Sequence, residues 1–112
     1  MRVVYFFYME TPFTQAAQDA VTVAKDGSAV IVDVRRDYEW TAGHTKGAIH
    51  WELARLEKGE LPDIPKDAKV FVHCMAGGRA AQAKEILEAN GWTSVVNMGG
   101  LSDWQSAGGE VE

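Results

Sequence analysis

The stretch Lys69-Val70-Phe71-Val72-His73-Cys74-Met75-Ala76-Gly77-Gly78-Arg79 decides the fold. Its first half is an apolar run with hardly any polar residue, the pattern of a strand covered on both faces. Cys74 falls just past the expected C-terminal end of that strand. Met75 to Gly78 is small, with two glycines free to adopt positive φ. From Arg79 the spacing becomes helical: Ala80, Ala83, Ile86 and Leu87 form one apolar stripe, while Gln82, Lys84, Glu85 and Glu88 face away. Asn90-Gly91 is a C-terminal stop. A strand, a tight loop and a helix in succession are the repeating unit of a parallel α/β sheet.

The same alternation extends in both directions. Ala29-Val30-Ile31-Val32-Asp33-Val34 is a second buried strand, Ala48-Ile49-His50 a short one, and Trp92 to Asn97 another. Gly99-Gly100 then leads into a short helix through Trp104. Residues 36–42 read as a short helix ended by Gly43, and Trp51 to Leu56 as a helical turn before a loop through Gly59, Pro62 and Pro65. Near the N-terminus, Val3 to Met9 reads as a strand. It feeds a helix with Thr11 as N-cap, Pro12 in the first helical position, and Ala16, Ala17, Ala20, Val21 and Ala24 on one spacing up to Asp26-Gly27. The alternative for this apolar run is the core of a processed signal segment, with Thr14 to Ala17 as the cleavage site. It is too short to span a bilayer, which takes about 20 residues. The expected architecture is a single α/β domain over residues 1–112, with 1–10 an N-terminal strand or extension. Its three layers are a central, mainly parallel sheet of about five strands and a cover of helices on each face.

Composition bounds the function. The 112 residues are 46% hydrophobic and include four Trp, four Phe and three Tyr, enough for one core and too apolar for a disordered chain. Eleven Lys and Arg against sixteen Asp and Glu give a net charge of −5. Without a basic stripe, nucleic acid is not an expected partner, and a surface of this sign is repelled by anionic lipid. The single cysteine, Cys74, rules out an intrachain disulfide and a CxxC pair.

Ligands of parallel sheets bind beyond the C-terminal strand ends, where a loop enters a helix, and residues 74–79 occupy that position. Loop N–H groups converge there and the helix N-terminus adds partial positive charge, both of which favour a thiolate at Cys74. Gly77 and Gly78 let the backbone curl closely, and Arg79 adds a permanent cation. The combination is a nucleophile in a small anion cradle, in place of the usual fate of a free cysteine, which is to pack in the core.

With these residues in view, the chain resembles the single-domain rhodanese family, in particular its small phage-shock type. The resemblance rests on Thr11-Pro12 and the Ala-rich helix, Asp33-Val34-Arg35 with Glu39, Gly43-His44 and Gly47-Ala48, the loop Cys74-Met75-Ala76-Gly77-Gly78-Arg79, and the closing Gly99-Gly100, Trp104 and Gly108. It implies a sulfurtransferase: Cys74 takes sulfur from a donor such as thiosulfate or a persulfide, and yields it to cyanide, a thiol or a protein acceptor. The persulfide would rest on Met75, Ala76, Gly77, Gly78 and Arg79, with Arg79 supporting anion binding. No metal or organic cofactor is implied. A monomer is expected, in the cytoplasm, with periplasmic export as the alternative. Two departures from the family pattern stand out at the loop. Ala80 offers no hydroxyl, and positions 75–78 carry no charge, so thiosulfate affinity is expected to be modest. Thr45, in place of an apolar residue, and Gly109-Glu110 read as peripheral.

Related phosphatases use Cys-x5-Arg, a loop one residue longer; here Arg79 is the fifth residue after Cys74 and position 80 is alanine. A binding module without turnover and a thiol redox sensor compete with the transferase on the same residues. Consecutive strand residues point to opposite faces, which makes His73 a poor base for Cys74. Asp33 and Arg35, two apart, share a face and read as a salt-bridged scaffold. His50 lies where the family chain passes near the loop, while His44 belongs to a structural Gly-His element. Trp40 and Trp51 are core or pocket rim, and Glu57 to Glu60 a solvated loop.

Overall fold

The computed structural model describes residues 10–112. Helix α1 (Thr14–Lys25) precedes strand β1 (Val30–Asp33), then α2 (Asp37–Thr41), β2 (Ile49–His50), α3 (Leu53–Glu57), β3 (Val70–Cys74), α4 (Gly78–Ala89), β4 (Val95–Gly100) and α5 (Leu101–Ser106). The strands line up β2-β1-β3-β4, every pair parallel. Among the described residues the sheet therefore has four strands rather than about five; the strand expected over residues 3–9 lies outside them.

Strand periodicity sorts the core into two layers. Val32, Val34, Val70, Val72 and Cys74 pack with Leu53, Leu56, Ala80, Ala83 and Leu87 under α3 and α4. Ile31 and Phe71 pack on the other face with Ala20, Val21, Met98 and Trp104 of α1, β4 and α5. Val70, Phe71 and Val72 are each at most 1% exposed, and burying such a side chain contributes about 1.5–3 kcal/mol. The strand that carries Cys74 is thus the most firmly held element of the sheet.

Three of the boundaries that differ from expectation have a local reason. Cys74 is the last residue of β3 rather than the first beyond it, because it pairs with Gly100 across a register shift between Val72 and Cys74. β4 begins at Val95, since Trp92 folds back on α4 and donates its N–H to the Leu87 carbonyl (3.1 Å). α1 opens at Thr14 rather than beyond Thr11. Thr11 closes a turn ahead of it, its hydroxyl accepting from Phe13 N (3.0 Å) and its own N–H donating to Thr14 Oγ1 (2.8 Å). The Thr11 hydroxyl also donates to Asp103 in the first turn of α5 (2.6 Å), tying the two helices. Among the described residues no helix is long and apolar enough to cross a membrane.

Candidate active site

Cys74 ends β3 with its side chain on the α4 face, so its sulfur lies beneath the start of that helix. Gly77 N donates to Sγ at 3.0 Å and Ala80 N at 3.4 Å. Gly77 has φ +100°, the left-handed conformation that turns successive N–H groups inward. A side chain there would also strike Phe13, whose ring supports the loop from below. Gly100 is required for a different reason: a Cβ at that position would collide with the Met75 carbonyl. Cys74 is 1% exposed, so only a slender group entering through the loop reaches it.

Arg79 is paired within the protein. Its guanidinium grips Glu39 with two bonds, Nη1 to Oε1 at 2.6 Å and Nη2 to Oε2 at 3.0 Å. The pair holds the Glu39 carboxyl down at about 2, against an ordinary 4.5, and raises the Arg79 guanidinium further. The charge assigned by sequence to a substrate anion is therefore matched within the protein, where it ties α4 to α2. Glu39 also accepts from Arg36 N (3.2 Å), capping α2.

Asp33 and Arg35 form the expected scaffold. Both are essentially buried, and the guanidinium meets the carboxylate through Nε and Nη2 at 2.7–3.0 Å. Nη2 also donates to the Gly43 carbonyl (2.7 Å), fixing the turn after α2. His50, half-buried beside Asp33 in the sheet register, hydrogen-bonds the Arg35 carbonyl through Nε2 (2.8 Å) rather than any loop residue. Its ring stacks on Trp40, with His44 on Trp40 at 3.6 Å between centroids.

His73 lies on the face opposite Cys74, as strand alternation requires. Burial pushes its imidazole below the ordinary 6.5 although Asp33 pulls the other way. The neutral ring donates from Nδ1 to the Cys74 carbonyl (3.2 Å) and accepts at Nε2 from the Thr45 hydroxyl (3.0 Å). Thr45 is therefore not peripheral: it is fully buried and satisfies the polar atom of His73. The C-terminal segment is similarly engaged, with Trp104 Nε1 donating to the Glu110 carbonyl (2.7 Å) and Val111 bridging Thr45.

Two further residues support the loop without having been expected to. Phe13 lies under Gly77 and Gly99. Asn97 donates to the Gly77 carbonyl (3.0 Å) and accepts from Gly99 N (2.9 Å). Asn97 had a signal, a polar residue in an apolar strand just before two glycines; Phe13 had none. An open groove of about 410 Å³ runs beside the loop, lined by Tyr38, Ala42, Met75, Leu101 and Val111 among others. Another, of about 310 Å³, lies between α1 and the C-terminal segment and includes no loop residue. Among the described residues no three His, Cys, Asp or Glu side chains gather as a metal site.

Comparison with known proteins matches the rhodanese-like domain family over residues 16–107. The chain is 40% identical over 73 residues to the thiosulfate sulfurtransferase PspE of Escherichia coli, covering 64% of this chain and 70% of that protein. It is 34% identical over 88 residues to the tRNA uridine(34) hydroxylase of Staphylococcus aureus, covering 71% of this chain but 27% of the hydroxylase. Among solved structures, it resembles a protein of unknown function from Rhodopseudomonas palustris, described as a possible tyrosine phosphatase. The TM-score is 0.72 at 30% identity, covering 86% of this chain and 81% of that one.

Proposed function

We propose, since this chain belongs to the rhodanese-like domain family, that it moves sulfane sulfur through a persulfide on Cys74. The observation that carries this reading is the pair of N–H groups, from Gly77 and Ala80, directed at Sγ. The thiolate attacks the outer sulfur of a donor such as thiosulfate or a persulfide. The donor S–S bond breaks, and sulfite or a thiolate departs with the electron pair. The negative charge then resides on the terminal sulfur of the Cys74 persulfide, within reach of the loop N–H groups and the positive end of α4. A thiol, cyanide or a protein acceptor attacks that terminal sulfur and releases the Cys74 thiolate. The covalent intermediate divides one transfer into two displacements, and one small domain suffices as a monomer. A nearly buried sulfur suits this chemistry, because a single protruding sulfur atom is all that must enter.

The loop of this chain does not fit a phosphatase of the Cys-x5-Arg kind. Arg79 is the fifth residue after Cys74, Ala80 stands where the longer loop carries its arginine, and Glu39 already holds the guanidinium. The competing reading is a binding module or redox sensor built on the same domain. Steady-state rates with thiosulfate and cyanide varied together decide between them. Parallel double-reciprocal lines, abolished by Cys74→Ser with the fold retained, are expected; activity surviving in Cys74→Ser would remove Cys74 from the reaction.

A further inference from the structure

The loop contains one peptide unit with glycine on both sides, the Gly77–Gly78 link. Elsewhere a Cβ resists rotation of a peptide plane about its flanking bonds; here neither neighbour has one. A half-turn would bring the Gly77 carbonyl round to the side of the sulfur, where its oxygen would oppose a thiolate or persulfide. Two donors oppose that turn. One is Ala81 N, in the first turn of α4, at 3.0 Å from the Gly77 oxygen. The other is Asn97 Nδ2, also at 3.0 Å, reaching across from β4.

We infer that Asn97 is a positioning residue for the sulfur-transfer loop: its amide holds the Gly77 carbonyl outward, which keeps that oxygen away from the sulfur beside the Gly77 N–H donor and fixes the direction of the Gly78 N–H. The amide is itself oriented, because its oxygen accepts from Gly99 N at 2.9 Å. That leaves the NH2 group, and not the oxygen, facing the loop. Since a trans peptide is planar, a fixed Gly77 carbonyl also fixes the Gly78 N–H, which points the opposite way. Gly77 N, on the near side of the same Cα, is the closest donor to Sγ at 3.0 Å. The clasp is half-buried, and β4 is anchored to β3 through the Cys74–Gly100 pair. The residue touches no reacting atom; it acts through the peptide that it holds.

This inference rests on the proposed sulfur transfer, and its test separates the two. Asn97→Ala removes the donor. Asn97→Asp keeps an acceptor for Gly99 N but places a second carboxylate oxygen against the Gly77 carbonyl. Single-turnover persulfide formation from thiosulfate should fall about 10- to 100-fold in both, less than the roughly 10²–10³-fold for loss of a direct oxyanion donor because Asn97 acts through the peptide it holds, with the donor KM within about twofold of wild type. Once protonated, the carboxyl introduced by Asn97→Asp again offers a donor of nearly the same shape. With an ordinary Asp pKa of about 3.9, the rate of that variant relative to wild type should therefore climb about two- to eightfold as pH falls from about 8 to about 5, whereas the relative rate of Asn97→Ala stays flat. Rates in both variants within about twofold of wild type, or an Asn97→Asp ratio that ignores pH, would overturn the assignment. If the wild type gains no sulfur from any donor, the proposed function fails, and alkylation of Cys74 by iodoacetamide then tests Asn97 alone. Slower alkylation in both variants supports the positioning role, and unchanged alkylation refutes it.

Discussion

Replacing Glu39 by Gln asks what the Arg79 pair does. Gln keeps an oxygen for the Arg36 N–H that caps α2, and removes only the charge. The fall of the carboxyl from 4.5 to about 2 corresponds to at most about 3 kcal/mol of folding stability. Arg79 is 31% exposed, so solvent screening brings the expected loss to about 1–2 kcal/mol. The sign follows from the depressed folded value. The contribution is complete above about 4.5 and disappears as pH falls through about 2. Urea unfolding at neutral pH should show the loss, and the gap between wild type and variant should close across that acid window. The same change frees a guanidinium beside the loop. An uncompensated cation there should lower the KM for thiosulfate about three- to tenfold, about 1 kcal/mol of Coulomb attraction at a partly screened site. Equal stability at neutral pH together with an unchanged KM would refute the reasoning that Arg79 is held back from the substrate by Glu39.

Other perturbations read the remaining parts of the site. Gly77→Ala forces a left-handed φ on a residue with a Cβ and drives that atom into Phe13; sulfur transfer should fall at least about tenfold, with a stability cost of about 1–3 kcal/mol by thermal unfolding. Asp33→Ala leaves the buried Arg35 guanidinium without its carboxylate and should cost about 3–5 kcal/mol in urea titration. One glycine inserted between Gly78 and Arg79 lengthens the loop to the phosphatase spacing and should weaken sulfur transfer; an unchanged rate would mean that loop length does not select the chemistry.

The fold was legible where burial dictates residue type. β1 and β3 are runs of β-branched and aromatic residues that cannot face water, and the stripe Ala80, Ala83, Leu87 admits one helix orientation. The loop was legible because its glycines, cysteine and helix start are contiguous. Contacts joining distant segments left weaker marks. Arg79 and Glu39 are 40 residues apart, and nothing local announces that the cation of one is matched by the other. Thr45 looked like a stray polar substitution until β3 placed His73 beside it, where a hydroxyl is what the buried ring requires. Phe13 precedes the first helix, and only the packing of α1 on the face opposite α4, against β4 and α5, carries it under Gly77. Thr11 read as a helix cap because its residue type and neighbours fit one; the helix starts later because Thr14 turns back to Thr11 first.

The persulfide on Cys74 is the claim on which the rest depends, and intact mass tests it most directly. The protein is weighed before exposure to thiosulfate, after it, and again after cyanide. The account predicts a gain of one sulfur atom, absent in Cys74→Ser and reversed by cyanide. No gain, from thiosulfate or from a more reactive persulfide donor, would contradict it and turn attention to the domain as a binding module.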